Sequence, residues 1–345
     1  MVGVTGANGF VGSQVVRALL ARGYEVTALV GAQMGCENLD GLRVQIRELD
    51  LGDPASVRRG LDGCESVVHS AACYDFWRAD PSELYRTNVL GTRHVLEAAR
   101  DLGVRRLVHT STAGTLSPGL GVLGLGDEEN AFDLRRFRGH YKTSKAMAEN
   151  LVLRAAAGGL PVLIVHPTTV LGPGDRRPTP TGSMVVHYLN RHMWVYAEMA
   201  QNLVDVRDVA EGHVQALEKG RIGERYLLGG ENLSMRALVG LLGEITGIPA
   251  PRVALPNAAL AALGRVNEWL SDHVTRRPPL VAREAALHAR DSCAFVSAKA
   301  ERELGFRARP ARAALLAAVR WFAAEGYCPS ATAERVARVS ALEAE

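Results

Sequence analysis

The sequence lacks the signatures of several common kinds of site. Its five cysteines include no CxxC pair, and its ten histidines form neither HExxH nor another clustered ligand spacing. These spacings argue against a zinc knuckle, a dithiol redox site and a catalytic metal, so we expect no metal site. We interpret the cysteines as the reduced thiols of a cytoplasmic protein.

Charge of one sign, long apolar runs and aromatic residues are also scarce. The formal net charge is only +3, which gives no reason to expect nucleic acid or an acidic membrane surface as a partner. No apolar stretch approaches the roughly 20 residues that a membrane-spanning helix needs. We expect no signal peptide, because a glycine-rich motif begins almost at Met1. With 6% aromatic residues and 35 glycines, the composition favours an α/β enzyme with many tight loops.

The first half of the chain alternates short β-branched runs with helical periodicity. The predicted strands are Met1–Thr5, Glu25–Val30, Arg43–Leu49, Ser66–His69, Arg106–Ser111 and Pro161–His166. The predicted helices are Phe10–Arg22, Pro81–Leu102 and Tyr141–Ala156. This alternation predicts an α/β, Rossmann-like doubly wound parallel sheet.

The pattern changes after His166, where the loop Gly172–Gly182 carries three prolines. We predict a dinucleotide-binding domain over residues 1–167, to which about 202–229 return. A smaller, mostly helical C-terminal substrate lobe would take 168–201 and 230–328. Its predicted helices are Ser234–Thr246, Asn257–Ser271 and Ala311–Ala324. The tail, 329–345, is charged and alanine-rich, and we predict no role for it.

A phosphate-binding turn is predicted between the first strand and the first helix. Gly6, Gly9 and Gly12 form GxxGxxG. Such glycines allow a sharp turn and let backbone N–H groups approach a pyrophosphate at a helix N-terminus. A glycine-rich turn without a ligand is the alternative, but the strand before it and the helix after it favour a dinucleotide.

Two further segments lie at the ends of predicted strands. Asp50 and Asp53 follow the third strand, where a carboxylate could meet an adenine amino group. Asp53 precedes Pro54, so it could instead cap a helix, and the two aspartates could divide these tasks. Ala71 and Ala72 follow the fourth strand and are small enough to let the backbone lie close to a cofactor.

A candidate acid/base pair lies at the start of a helix. Tyr141 and Lys145 form YxxxK, and the i, i+4 spacing places them on one helix face. A lysine ammonium beside a phenol favours the phenolate, which produces an acid/base suited to a carbinol proton. Most YxxxK sequences are solvated helix faces, so the motif alone is weak.

Hydroxyl residues at the end of the fifth strand support the pair. Thr110, Ser111 and Thr112 would lie at the carboxyl edge of the sheet, where such folds bind ligands. A hydroxyl there could bond the substrate oxygen and stabilise developing charge. These hydroxyls could also simply satisfy loop backbone, but the three features together favour a nicotinamide enzyme.

TGANGFVG, DLGD, HTSTAGT and YKTSK, in this order, resemble the extended short-chain dehydrogenase/reductase family of epimerases, dehydratases and reductases. The resemblance extends from Met1 to about Phe322. The later segments HPTTVLGPGD, RPTPTG, NLVDVRDVAEGHVQALEKGRIGERYLLGGENLS and SAKAERELGF are similar to the hopanoid-associated sugar epimerase group, itself akin to dihydroflavonol reductases.

The resemblance implies roles for individual residues. Tyr141 would be the acid/base, Lys145 would tune it and hold the nicotinamide ribose, and Thr112 would be the catalytic hydroxyl. Asn88 matches a position that supports the active-site backbone. The implied cofactor contacts, beside Tyr141 and Lys145, are Gly6, Asn8, Gly9, Phe10, Val11, Gly12, Asp50, Leu51, Ala71, Ala72, Pro167 and Thr168. The candidate substrate contacts are Tyr74, Ser111, Thr181 and Asn202.

The sequence departs from its relatives at two places. Gly31 stands where an arginine often pairs with the 2′-phosphate of NADP, and the loop Gly31–Gly41 has no lysine or arginine. The cofactor is therefore NAD or NADP. Asp205 and Arg207 replace residues that are usually His and Asp, which alters the charge near the substrate lobe.

The leading functional hypothesis is epimerisation of a sugar or polyol through a transient ketone. Net reduction of a ketone by NADPH is the alternative, and the shared motifs do not separate the two. A dinucleotide-sensing regulator is the third hypothesis, although a sensor has no need of the Tyr–Lys pair. By analogy with many relatives we expect a homodimer.

Overall fold

The computed structural model describes residues 1–32, 35–75, 80–117, 125–129, 139–275 and 294–342. In chain order the strands are β1 (Val2–Thr5), β2 (Val26–Val30), β3 (Gln45–Glu48), β4 (Ser66–His69), β5 (Arg106–Thr110), β6 (Val162–Pro167), β7 (Thr169–Leu171), β8 (Val195–Ala197), β9 (Ala200–Asp205), β10 (Arg225–Leu228), β11 (Glu231–Ser234) and β12 (Val253–Leu255). The helices are α1 (Phe10–Ala21), α2 (Pro54–Leu61), α3 (Ser82–Tyr85), α4 (Gly91–Asp101), α5 (His140–Ala157), α6 (Pro180–Leu189), α7 (Val206–Lys219), α8 (Met235–Thr246), α9 (Asn257–Leu270), α10 (Ala298–Leu304), α11 (Ala311–Ala324) and α12 (Ser330–Leu342).

Seven of the described strands form one parallel sheet in the order β10-β6-β5-β4-β1-β2-β3. Valine-rich runs such as β2 are buried along their whole length, as expected for strands covered on both faces by helices. The predicted Rossmann-like α/β fold is confirmed. The strand order reverses between β1 and β4, and the crevice at that point is where such sheets bind ligands.

The predicted helix Pro81–Leu102 consists of two α-helices, between which the hydrogen-bonding pattern changes. A π turn over Arg86–Leu90 joins α3 to α4. This turn contains Asn88, whose side chain is buried and bonded to a neighbouring loop. A π turn adds a residue to the helical ladder and is common at functional sites. Periodicity alone does not distinguish it from an ordinary turn.

The segment 202–229, which we expect to return to the dinucleotide-binding domain, contributes strands to two different sheets. Arg225–Leu228 does return, as β10 beside β6. β9 instead joins a smaller sheet between β7 and β11. The physical reason is that β10 takes the open edge of β6, so β9 pairs with strands at the carboxyl side of the central sheet. The division of the chain into a cofactor domain and a substrate lobe stays a prediction.

Hydrophobic clusters lie on the two faces of the central sheet, and another is built from side chains between Leu171 and Val336. The tail contributes to this last cluster, because α12 buries Val336 there and Arg335 Nη1 donates to the Gly247 carbonyl. The tail therefore packs as a helix. None of the described helices combines the length and apolar character that a membrane crossing requires.

Candidate active site

The glycine turn begins where β1 ends. Gly6 has a φ of +66°, and the Gly9 amide donates to its carbonyl at 2.9 Å. A Cβ on Gly12 would overlap the Gly6 carbonyl oxygen, so the turn can close this tightly only with glycine at 12. Gly9 caps α1 without a side-chain bond, which leaves the first N–H groups of the helix available to an anion.

The loop after β2 folds onto this turn. Asn8 Nδ2 donates to the Gly35 carbonyl at 2.9 Å. Asn38 Nδ2 lies within hydrogen-bond distance of the Asn8 carbonyl at 3.1 Å and the Gly174 carbonyl at 3.0 Å. A single asparagine therefore links the glycine turn, the loop after β2 and the loop after β7.

The two aspartates after β3 accept different backbone hydrogen bonds. Asp53 caps α2, accepting from the amides of Ala55 and Ser56, so its interpretation as a helix cap is confirmed. Asp50 Oδ1 accepts from the Gly52 amide at 2.8 Å. The adenine contact predicted for Asp50 and Leu51 stays a prediction.

A chain of hydrogen bonds fixes the loop after β4. The Thr5 hydroxyl oxygen accepts from the Ala71 amide at 3.2 Å and lies 2.8 Å from His69 Nδ1, which accepts the Thr5 proton because Nε2 carries the proton of the neutral ring. His69 Nε2–H then donates to the Thr92 hydroxyl, 3.1 Å away, which donates to the Asn88 carbonyl. Burial, helped by the charge of Lys145, lowers the pKa of His69 to about 3, so the imidazole is neutral.

Asn88 connects that loop to the helix bearing the YxxxK motif. Its Oδ1 accepts from the Cys73 amide at 2.8 Å, and its Nδ2 is 3.0 Å from the Cys73 carbonyl and 2.9 Å from Ser144 Oγ. The Ser144 hydroxyl in turn lies 2.7 Å from the Tyr141 carbonyl. The support role that the resemblance implies for Asn88 agrees with these contacts.

Tyr141 and Lys145 lie in the first two turns of α5. Lys145 is buried, and its Nζ donates to the Thr110 carbonyl at 2.7 Å, which fixes the ammonium at the carboxyl end of β5. Burial lowers the pKa of Lys145 to about 8, although Glu149 opposes the shift. The Tyr141 ring packs on Tyr74 with centroids 4.7 Å apart. The substrate contact predicted for the half-exposed Tyr74 would therefore be made beside Tyr141.

The hydroxyl segment after β5 surrounds a residue that the sequence analysis missed. Glu149 Oε2 accepts from Ser111 Oγ at 2.7 Å and from Thr115 Oγ1 at 2.8 Å, and lies 3.0 Å from His166 Nε2. Thr112 Oγ1 accepts from the Gly114 amide. Ser111 thus bonds inward, while the catalytic role of Thr112 stays a prediction. The spacing of Glu149, four residues after Lys145, is the one local signal for it.

The end of β6 lies next to these groups. Pro167 is paired with Leu228, and Thr168 donates its amide to the Leu228 carbonyl. The Thr168 hydroxyl is buried without a hydrogen-bond partner within the described part of the chain. An orphaned donor here fits the predicted nicotinamide contact. With the closely packed glycine turn and the uncapped helix, it makes the described residues compatible with a bound dinucleotide.

The two other predicted substrate contacts, Asn202 and Thr181, belong to β9 and α6. Asn202 is buried, and it bonds the backbone of Gly230 and the side chain of Asn232. Thr181 lies in the first turn of α6. Asn202 therefore has a structural role, and substrate contact by either residue stays a prediction.

The departure at Asp205 and Arg207 has a local explanation. Asp205 caps α7 by accepting from the Arg207 amide, and its carboxylate pairs with the Arg207 guanidinium at 2.6 Å. The two charges therefore compensate each other at the start of the helix.

Among the described residues, no group of three or more His, Cys, Asp or Glu side chains is arranged to hold a metal ion. Cys293 lies outside the described residues.

Comparison with known proteins assigns the fold to a family. The model of the NAD dependent epimerase/dehydratase family matches residues 2–229. A putative dihydroflavonol 4-reductase from Synechocystis sp. is 38% identical, covering 94% of this chain and 95% of its own. Sterol demethylase protein B from Methylococcus capsulatus is 36% identical over 94% and 98% of the two chains. A 4-hydroxy-2-methyl-3-oxo-4-farnesyl-3,4-dihydroquinoline-1-oxide ketoreductase from Stigmatella aurantiaca is 34% identical over 89% and 91%.

Solved structures give the same result. A nucleoside-diphosphate-sugar epimerase from Pseudomonas aeruginosa superposes with a TM-score of 0.79 and 29% identity, covering 95% of this chain and 99% of its own. UDP-glucose 4-epimerase from Thermus thermophilus, in complex with NAD, has a TM-score of 0.74 and 25% identity, over 93% and 98% of the two chains.

Proposed function

The chain belongs to the NAD dependent epimerase/dehydratase family, of the extended short-chain dehydrogenase/reductase enzymes, and we propose that it transfers hydride at a carbinol carbon of a sugar or polyol. Tyr141 is the proposed acid/base. The observation that carries the proposal is the position of the Lys145 ammonium, fixed by the Thr110 carbonyl at the carboxyl end of β5 on the helix that bears Tyr141. That edge of the sheet is the one onto which the glycine turn opens.

The protein's own contribution to the reaction is proton transfer and charge stabilisation. A bound nicotinamide would supply the hydride acceptor and donor. In the proposed reaction Lys145, charged at neutral pH, favours the phenolate form of Tyr141, and the phenolate oxygen takes the carbinol proton. The Thr112 hydroxyl donates a hydrogen bond to the same substrate oxygen as negative charge develops. In epimerisation this proton returns to the oxygen when the transient ketone is reduced on its other face. In net ketone reduction the Tyr141 phenol instead donates its own proton to the carbonyl oxygen and regains one from solvent, and a reduced nicotinamide would supply the hydride.

Epimerisation is the first candidate, because the two structural neighbours from Pseudomonas aeruginosa and Thermus thermophilus are sugar epimerases. Ketone reduction is the second, because the relatives of higher identity include a putative dihydroflavonol 4-reductase and a ketoreductase. The two reactions differ in what happens to the cofactor. An epimerase regenerates its cofactor in each cycle, whereas a reductase must exchange it.

Denaturing the freshly purified protein and identifying released nucleotide by mass spectrometry separates these candidates. Stoichiometric NAD favours an epimerase, which is then assayed against nucleoside-diphosphate sugars. Empty protein that binds reduced dinucleotide reversibly and oxidises it with a ketone favours the reductase. A folded protein that neither carries nor binds a dinucleotide would contradict both.

We further propose that the dinucleotide is NAD. The loop after β2 offers no basic side chain between Gly31 and Gly41. The Glu37 carboxylate lies against Gly35, where an added Cβ would overlap it, and Gly35 also accepts from Asn8 of the glycine turn. A carboxylate at this place suits a ribose hydroxyl and repels a 2′-phosphate. Arg17 reaches the loop, and its Nη2 donates to the Asn38 carbonyl.

Equilibrium binding tests this preference without a substrate. We expect NAD to bind at least about tenfold more tightly than NADP, a difference of about 1.4 kcal/mol. Gly31→Arg restores a bidentate phosphate ligand and should raise NADP affinity; Gly31 is not among the residues with positive φ, so its backbone accepts a side chain. Arg17→Gln is the matched control, and a selective loss of NADP affinity there would assign phosphate binding to Arg17. Equal affinity of the parent for both cofactors contradicts the proposal.

The homodimer also stays a prediction. Light scattering that gives a monomer mass at every concentration would exclude it.

A further inference from the structure

A buried carboxylate lies one helical turn beyond Lys145. The Glu149 side chain is 8% exposed, and three donors converge on its Oε2: the hydroxyls of Ser111 and Thr115 and the Nε2 of His166. We propose that Glu149 is a positioning residue: its carboxylate fixes the segment that bears Thr112 and places a buried negative charge one helical turn from Lys145. The inference rests on the proposed roles of Thr112, Tyr141 and Lys145.

The positional part follows from which hydroxyls Glu149 binds. Ser111 precedes Thr112, and Thr115 ends the short 3-10 turn that follows it. The Thr115 hydroxyl lies 2.8 Å from Glu149 Oε2 and 2.7 Å from the Thr112 carbonyl, so its single proton serves one acceptor at a time. Through Ser111 and Thr115, the carboxylate contacts the chain on both sides of Thr112. Thr112 itself keeps its hydroxyl free of this carboxylate.

The electrostatic part follows from the charges that surround Lys145. His69 from β4 and His109 from β5 face the ammonium, and burial keeps the pKa of both imidazoles far below neutral, so neither carries charge. Glu149 supplies a compensating negative charge from its own helix. An ammonium removed from water is retained only when such a charge accompanies it.

Glu149 is itself held ionised by its surroundings. His166 from β6 donates to Oε2, and Arg225 from β10 places its Nη1 3.7 Å from Oε1. Although burial raises it, the pKa of Glu149 ends well below its usual range because of His166 and the two hydroxyls. Glu128 faces His166 from the segment 125–129. Tyr141, Lys145 and Glu149 thus repeat at i, i+4 and i+8 along one stripe of α5.

The lysine content of the chain allows a direct test without a substrate. There are four lysines, Lys142, Lys145, Lys219 and Lys299. With lysine labelled at Cε, nuclear magnetic resonance follows each ammonium separately, and Lys145→Arg assigns the signal. We expect Lys145 of the parent to titrate near pH 8 and to be charged at neutral pH.

Glu149→Gln keeps the shape of the side chain and removes its charge. The pKa of Lys145 should then fall by about one unit or more, while Lys219 and Lys299 titrate as in the parent. Glu149→Asp retains the charge but cannot reach both hydroxyls, so Lys145 should titrate closer to the parent than in the Gln variant. The phenolate absorbance of Tyr141, taken as the difference from Tyr141→Phe, should shift to higher pH in the Gln variant.

An unchanged Lys145 titration in a folded Glu149→Gln variant overturns the electrostatic part of the proposal, because the hydrogen bonds to Ser111 and Thr115 alone would affect only the melting temperature. If that variant does not fold, the parent still decides, since a neutral Lys145 at pH 7 is incompatible with the proposal. A protein that binds no dinucleotide but shows the Lys145 shift would refute the proposed function and leave the role of Glu149 intact.

Discussion

The two halves of the candidate site are built in different ways. The phosphate turn is made of backbone from one short segment, Thr5–Gly12, with glycines where a Cβ would collide. The acid/base region is made of side chains from β4, β5, α5, β6 and the π turn, bonded to one another in the interior. The first half depends on the absence of side chains, and the second on hydrogen bonds between side chains. Substitutions should therefore damage the two halves by different routes.

Asn88→Leu should have the largest effect on stability. It removes three bonds of a buried amide and leaves the Cys73 amide and carbonyl without this partner. We expect the free energy of unfolding to fall by about 2–4 kcal/mol, since each abandoned buried polar group costs roughly 1–3 kcal/mol. Urea denaturation measures this. A loss below about 0.5 kcal/mol, the range of neutral surface changes, would show that the side-chain network is not required.

Gly12→Ala should mainly affect binding. The added methyl overlaps the Gly6 carbonyl oxygen and must displace the turn. We expect dinucleotide affinity to fall by about a hundredfold, equivalent to about 2.7 kcal/mol. Calorimetry or nucleotide fluorescence measures it. Parent-like affinity in this variant would mean that the turn does not hold the pyrophosphate.

Asp175 lies in the loop that connects β7 to α6, and it should make the stability of the fold depend on pH. Burial raises its pKa to about 6, against the opposing bonds from Thr179. A carboxyl whose folded pKa is raised stabilises the fold at low pH, and this stability is lost as pH rises from about 4 to about 6. The change is on the order of 2–3 kcal/mol. Asp175→Asn should abolish this part of the pH dependence, which melting at a series of pH values detects. An identical profile in parent and variant would contradict the assignment.

Gly240→Ala is the matched control for Gly12→Ala and should have the smallest effect. Gly240 lies within α8, and an added Cβ meets no atom within 4 Å. We expect a gain of roughly 0.5–1 kcal/mol in the free energy of unfolding, because alanine loses less backbone entropy than glycine. Dinucleotide affinity should not change. A loss of affinity would show that glycine replacement acts through the fold as a whole.

The difference between the phosphate turn and the acid/base region also explains which features the sequence could predict. GxxGxxG and YxxxK are local patterns, and each places its groups through the geometry of one turn or one helix face. The central sheet was predictable because its buried strands are continuous apolar runs. The role of Glu149 was not predictable, because its three donors come from distant segments that only the folded sheet brings together.

Two other features were beyond local patterns for the same reason. The pairing of β9 with β7 and β11 depends on which strand occupies the edge of β6. The side chain of Asn202 bonds Gly230 and Asn232, partners that no local pattern identifies, and its substrate contact stays a prediction. A residue type indicates what chemistry is available, and the tertiary contacts decide where that chemistry is used.

The most direct test of the central claim compares Tyr141→Phe with the parent in two assays. One measures dinucleotide affinity. The other measures the rate of a single turnover with whichever substrate the parent accepts, a nucleoside-diphosphate sugar or a ketone. The main role proposed for the phenol hydroxyl is proton transfer, so the rate should fall by about 10²–10⁴-fold, whereas loss of its implied cofactor contact should weaken affinity far less. A parent-like rate in the variant would contradict Tyr141 as the acid/base, and with it the proposed mechanism.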